Sequence, residues 1–151
     1  MVTKSKEEVW STLKDRVSRA LEQEKLSLGA VLLELERLSR TLADLAEMKK
    51  DYHPDRLASV EDSASIGQIQ RNWNFISNLE KAIRKTNQQK LGVRKKERAI
   101  REQCVKLEGE LKKYQTLEDR SIEKRKKAEA LKDRKAADEI AAAYWLRRKL
   151  E

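Results

Sequence analysis

The sequence predicts an all-α fold, a long antiparallel two-helix coiled-coil hairpin whose second helix is longer and projects beyond the first. Charged residues make up 40% of the 151 residues, and four Gly and one Pro leave few turn residues. This composition fits either disorder or long helices. Apolar residues recur in steps of three and four, the spacing of a coiled-coil seam, which decides for helices. One short break divides them into two stripes that fold back on each other, so we predict a single domain over residues 1–151.

The first helix is predicted over residues 5–52. Its apolar stripe has a heptad spacing for most of its length. Between Ala20 and Leu28 the steps become four and four through Glu24, which predicts a stutter that locally unwinds the supercoil. The stripe consists of Trp10, Leu13, Val17, Ala20, Leu28, Val31, Leu35, Leu38, Leu42 and Leu45.

The break is predicted over residues 53–65. Pro54 disfavours a helical conformation at His53. Ser63 or Ser65 can cap the next helix by accepting backbone N–H bonds.

The second helix is predicted over residues 66–148. Its stripe is interrupted by four residues that dilute the seam, namely Thr86, Lys90, Arg94 and Glu97. After Tyr114 the stripe fades, so we expect pairing as far as about residues 115–120 and a projecting end beyond them. The apolar members are Ile69, Trp73, Ile76, Leu79, Ile83, Ile100, Cys104, Leu107, Leu111 and Tyr114.

The charge is placed unevenly along the chain. Residues 1–52 hold 10 Lys/Arg and 10 Asp/Glu, whereas residues 66–151 hold 24 Lys/Arg and 13 Asp/Glu. We therefore expect the second half to bind an acidic partner. That partner is either a protein surface, a nucleic acid or an anionic lipid. Basic clusters lie at 94–98 and 124–127. Aromatic platforms and a groove-reading motif are missing, which favours an acidic protein over nucleic acid.

No pattern in the sequence predicts an enzyme, a cofactor or a metal site. There is no Gly-rich phosphate loop, no HExxH motif and no pair of cysteines. Cys104 lies on the seam between Ile100 and Leu107, where we interpret it as a small buried hydrophobe. A lone cysteine suits a reducing compartment, and no apolar run approaches the ~20 residues of a membrane span. The first residues lack the apolar core of a signal peptide, so we expect a cytoplasmic protein.

The loop sequence His53-Pro54-Asp55 gives an alternative interpretation. It resembles the J-domain signature that stimulates Hsp70 chaperones, so a chaperone co-factor is one rival function. A J-domain, however, has a compact helical unit before this loop. Here one unbroken amphipathic run precedes it, which favours a simple hairpin turn. A plain structural or nucleic-acid-binding coiled coil is the other rival.

The segment from Phe75 to Ile83, Phe-Ile-Ser-Asn-Leu-Glu-Lys-Ala-Ile, resembles the core motif of the flagellar type III export protein FliJ family. Further segments are similar to that family in the same register without gaps. They are Thr12-Leu13-Lys14-Asp15, Tyr52, Gln88-Gln89 and Gln115-Thr116-Leu117 with Arg120. YscO-like injectisome stalk proteins resemble the chain more distantly.

The resemblance implies a soluble component of the flagellar export apparatus. Its expected partners are the export ATPase and its regulator, the FlhA-like export gate, and export chaperones. The protein would lie at the inner membrane only through these partners. The basic end of the second helix would contact an acidic lining of the ATPase ring, at Arg120, Lys124, Arg125, Lys126 and Lys127.

The resemblance also implies a gate-binding surface on both helices beside the loop. Thr41, Met48 and Thr86 depart from the family's residue types. Within each helix the steps are three or four, so each set forms one face. The residue numbers of the pairs Tyr52–Phe75 and Leu45–Ala82 both add up to 127, as expected for residues facing each other across an antiparallel hairpin. The surface comprises Leu45, Met48, Tyr52, Phe75, Leu79, Ala82 and Thr86, with Thr41 at its edge.

Overall fold

The computed structural model describes residues 5–53 and 66–150, and these residues form two α-helices. Helix α1 is Lys6–Asp51 and helix α2 is Ile66–Lys149, with 46 and 84 residues. No strand occurs in the described ranges, and the two helices pack against each other. The predicted all-α hairpin with a longer second helix is therefore confirmed.

The start of α1 and the end of α2 carry residues that suit the unpaired backbone groups and the dipole of a helix. The Ser5 hydroxyl oxygen accepts a hydrogen bond from the backbone N–H of Glu8 at 3.3 Å, which caps α1. Glu7 and Glu8 lie in the first turn, where carboxylates favour the positive end of the helix dipole. The last turn of α2 holds three basic residues, Arg147, Arg148 and Lys149. Their positive charges interact favourably with the negative end of the helix dipole.

The described residues belong to two compact units, which we call the terminal unit (residues 1–22 and 105–151) and the central unit (residues 23–104). Each unit contains a stretch of α1 and a stretch of α2.

In the terminal unit the helices pair in antiparallel fashion. The rings of Trp10 and Tyr114 stack with their centroids 6.2 Å apart. Two ion pairs also join the helices, Lys14–Glu118 at 3.0 Å and Glu7–Arg125 at 2.9 Å. Pairing therefore extends to Arg125, a few residues beyond the predicted limit. The buried side chains of this unit are Val17, Leu21 and Leu107.

In the central unit the core is a narrow seam between the helices. Lys49 pairs with Glu80 at 3.3 Å, which shows the same antiparallel arrangement here. Cys104 is a free, buried thiol, as predicted. The buried residues are Leu38, Ile76, Leu79, Thr86 and Cys104.

The structure corrects the predicted seam at three places. Leu21 is buried whereas Ala20 is exposed, so the heptad continues through residues 17, 21, 24 and 28 and the predicted stutter is wrong. In α2, Val93 is half-buried and Arg94 is exposed, so a valine and not an arginine lies on the seam. Near the loop, Ile69 and Trp73 are 42% and 52% exposed, and the seam starts with Ile76. In the first two places an apolar side chain, Leu21 or Val93, lies one residue from the predicted position. Its burial lowers the free energy more than burial of the predicted residue would.

Beyond residue 122, α2 has no buried or half-buried residue up to residue 150. We call residues 126–150 the α2 tail. Its helix is supported only by local interactions, such as the ion pair between Lys127 and Glu123 at 3.3 Å.

Gly29 in α1 and Gly92 in α2 both lie inside the central unit. A Cβ atom built on either residue would have no neighbouring atom within 4 Å. Neither residue has a positive φ angle. Neither packing nor backbone conformation therefore requires glycine at these two positions.

Candidate partner-binding surfaces

The predicted gate-binding residues, which we call the loop-proximal patch, differ in how accessible they are. Met48 and Tyr52 are each 45% exposed, and Phe75 is 40% exposed. Leu45 and Ala82 are half-buried, as is Thr41. The remaining two members, Leu79 and Thr86, are buried. A partner that docks on this patch without deforming it therefore contacts mainly the three exposed side chains.

Tyr52 and Phe75 form the centre of this patch. Their ring centroids are 4.9 Å apart with an interplanar angle of 66°, which is the edge-to-face geometry that aromatic pairs favour. The contact joins the end of α1 to the first turns of α2, so both helices position it. The cross-helix pairing predicted for these two residues is confirmed.

Thr86 is a buried member of the loop-proximal patch. Its side chain is 8% exposed, and its hydroxyl donates a hydrogen bond to the backbone carbonyl of Ala82 at 2.8 Å. A buried hydroxyl that is bonded within its own helix is satisfied without a partner. Thr86 therefore maintains packing between the helices and offers its donor to no docked protein.

Sequence reasoning did not include Trp73 in the patch, although it lies beside the loop. Its ring centroid is 6.4 Å from that of His53, with an interplanar angle of 62°. The predicted seam had used Trp73 as a core residue. The signal that could have identified it is the same one that identified Tyr52 and Phe75, an aromatic residue flanking the break in the helices.

The basic residues predicted to contact the ATPase ring are all exposed, namely Arg120, Lys124, Arg125, Lys126 and Lys127. Arg125 forms its ion pair with Glu7, and Lys127 forms one with Glu123. No described residue forms an ion pair with Arg120, Lys124 or Lys126. These three side chains carry the most available charges of the set for an acidic partner.

The α2 tail carries a further exposed group of side chains. Ile140, Tyr144, Trp145 and Leu146 are 71%, 66%, 57% and 56% exposed. We call residues 140–146 the aromatic band. The Lys149 ammonium lies over the Trp145 ring, 4.3 Å from its centroid, so a cation–π contact joins the band to the basic end of the helix.

Other candidate chemistry is limited in the part of the chain that the structure describes. Residues 5–53 and 66–150 contain no cluster of His, Cys, Asp and Glu that could hold a metal ion. No helix in these ranges is both long enough and apolar enough to cross a membrane. Pro54, Asp55 and the capping serines 63 and 65 lie outside the described residues.

The chain matches the family model described as "Flagellar FliJ protein" over residues 10–150. The chain belongs to the FliJ family. It is thus a component of the flagellar protein export apparatus, and the resemblance seen in the Phe75–Ile83 segment is confirmed. No curated protein matches the chain, and no solved structure matches it.

Proposed function

We propose that this FliJ-family protein couples the export ATPase ring to the export gate. In this proposal the loop-proximal patch binds the gate protein, and the basic stretch of α2 binds the ring. Export chaperones are further partners. The protein would act in the cytoplasm, at the inner-membrane export apparatus.

The observation that supports gate binding is the half-exposed aromatic pair Tyr52–Phe75 beside the loop. Together with Met48 it forms an apolar surface fixed by two helices, so a partner meets it with little ordering cost. Aromatic side chains held in this way are frequent binding hot spots. The buried residues beneath them, Leu79 and Thr86, keep the helices in register.

The gate interaction is tested with the double variant Tyr52→Ala/Phe75→Ala. We expect at least a tenfold loss of affinity for the cytoplasmic domain of the flagellar export gate, measured by calorimetry, because hot-spot aromatics contribute about 2 kcal/mol or more. The control is Leu33→Ala/Leu91→Ala, which removes two side chains that are 69% and 60% exposed in the same unit. Equal affinities of the two variants would refute gate binding by the patch.

The ATPase interaction is tested by charge reversal. Lys124→Glu/Lys126→Glu should reduce co-purification with the export ATPase and flatten the salt dependence of that binding, because fewer attractive charge pairs remain for salt to screen. Lys95→Glu/Lys96→Glu is the matched control, with the same charge change on exposed residues of the central unit. If the two double variants bind the ATPase equally well, the basic stretch is not its contact.

A further inference from the structure

The aromatic band and the basic residues after it form an exposed helix end with a composition unlike the rest of the tail. Residues 140–146 read Ile-Ala-Ala-Ala-Tyr-Trp-Leu, and the next three residues are Arg147, Arg148 and Lys149. No Asp or Glu occurs between residues 140 and 150, so this stretch carries three positive charges and no negative one, with Glu139 and Glu151 directly outside it. Four large apolar side chains there are each more than half exposed. Nothing in the described part of the chain covers them.

Of the four large apolar residues of this surface, only Leu146 continues the register of the coiled-coil seam. The seam of α2 passes through residues 104, 107, 111, 114, 118 and 121, and the same spacing leads in the tail to Ala128, Lys132, Lys135, Glu139, Ala142, Leu146 and Lys149. Four of these seven positions are charged, so a second helix packed on that register would bury charge. Pairing with another copy of the tail is therefore disfavoured.

The band also does not form a single stripe that one groove could accept. Consecutive helical residues point about 100° apart, so Tyr144, Trp145 and Leu146 together cover about 200° of the circumference. A helix bound in a groove presents apolar residues at positions i, i+3, i+4 and i+7. A medium that surrounds the helix end on several sides fits this distribution better.

Three features of the band match a membrane–water interface. Trp and Tyr side chains concentrate at such interfaces because their rings are apolar and their N–H and O–H groups remain hydrated. Arg and Lys beside them meet the phosphates of anionic lipids. The contact between Lys149 and Trp145 holds a cation directly on the ring that would enter the headgroup region. Nucleic acid would use the three charges but leave Ile140 and Leu146 in water.

We propose that the end of the α2 tail, residues 140–149, binds the surface of membranes that contain anionic lipids. The apolar side chains enter the headgroup–acyl boundary, and the three basic residues pair with lipid phosphates. The sequence predicted membrane proximity through protein partners alone, and this contact would be direct. It does not depend on the proposed roles of the loop-proximal patch or of Lys124 and Lys126.

The test is flotation of the full chain with vesicles of phosphatidylethanolamine and phosphatidylglycerol, compared with phosphatidylcholine alone. The chain should float with the anionic vesicles only. Arg147→Gln/Arg148→Gln should weaken binding about 30-fold, at about fivefold for each basic residue near an anionic surface. Trp145→Ala should weaken binding about tenfold, because a large apolar side chain no longer leaves water.

The matched control is Lys132→Gln/Arg134→Gln, which removes two charges from the same exposed tail outside the band. It should retain most of the vesicle binding. Failure of the full chain to float overturns the proposal. So does an unchanged affinity of Trp145→Ala, since binding would then depend on charge alone.

Two further results would assign the band to another class of partner and overturn the proposal. One is loss of ATPase co-purification in Trp145→Ala without any vesicle binding by the parent chain. The other is tighter binding of a short RNA than of anionic vesicles, again through Arg147 and Arg148. The gate measurement with Tyr52→Ala/Phe75→Ala is separate, so failure of one proposal leaves the other testable.

Discussion

Helix α2 contains two stretches that are helical for different reasons. From Ile76 to Ile122, buried or half-buried residues recur every three or four positions because α1 packs against them. From residue 126 to residue 150 every residue is exposed, and the stretch is rich in strong helix formers, with seven Ala among 25 residues. The paired stretch is stabilised by burial, whereas the tail depends on local propensity, ion pairs and continuity with the paired stretch. A long helix thus need not be uniformly stable along its length.

The largest effect is expected in the seam. Leu38→Ala removes a side chain that is 2% exposed and should lower the free energy of unfolding by about 2–5 kcal/mol. Leu33→Ala, on the same helix but 69% exposed, should change it by no more than about 0.5 kcal/mol. Urea unfolding followed by circular dichroism measures both. Similar losses of stability in the two variants would contradict the view that burial in the seam stabilises the fold.

A glycine scan contrasts the two stretches directly. Ala99→Gly, at an exposed position in the paired stretch, should lower the global free energy of unfolding by about 1 kcal/mol. Ala142→Gly in the tail should cost its local helix a similar amount, about 1 kcal/mol. There it should appear only as faster amide hydrogen exchange in the tail, with an unchanged urea midpoint. A shifted midpoint in Ala142→Gly would show that the tail unfolds together with the seam.

The ion pair between Lys14 and Glu118 should contribute less. The two side chains are 26% and 16% exposed, so a double-mutant cycle with Lys14→Gln and Glu118→Gln should give a coupling of about 0.5–1 kcal/mol. The pair Lys127–Glu123 at the start of the tail, 76% and 68% exposed, serves as a comparison with a smaller expected coupling. Equal couplings would mean that packing of α1 adds nothing to the pair in the terminal unit.

The smallest effect concerns pH. The Arg37 guanidinium donates hydrogen bonds to the Glu34 carboxylate at 2.7 and 3.1 Å and holds the pKa of that carboxyl below its usual value. Lys96 of α2 lowers this pKa further by its charge. Because the pKa is lower in the folded state, the pair stabilises the protein above the unfolded pKa and loses this effect as the pH falls through the folded value. Between about pH 5 and pH 3, the parent chain should lose slightly more stability than Glu34→Gln in thermal melts. An identical pH dependence of the two proteins would show that the Glu34–Arg37 pair does not contribute to stability.

Heptad geometry explains which features could be predicted from the sequence. The two helices and the contact between Tyr52 and Phe75 follow from spacing and from one register, which a linear sequence contains. The choice between neighbouring residues was harder. Ala20 and Leu21 are both apolar, and only the packing shows that Ala20 is exposed and Leu21 is buried. In the same way, only the packing shows that Val93 is half-buried and its neighbour Arg94 is exposed. The exposure of Trp73 depends on where α1 ends, which a stripe in α2 alone does not encode.

The two glycines of the central unit have a mechanical consequence. Gly29 and Gly92 each lower local helix stability by about 1 kcal/mol relative to alanine, and no neighbouring atom requires them. Their effect is a loss of stiffness, because a helix without a Cβ at one position bends and twists there at less energetic cost. Both helices are softened in this way within one unit. The central unit therefore contains an elastic section, which can store a small torsional deformation and return it.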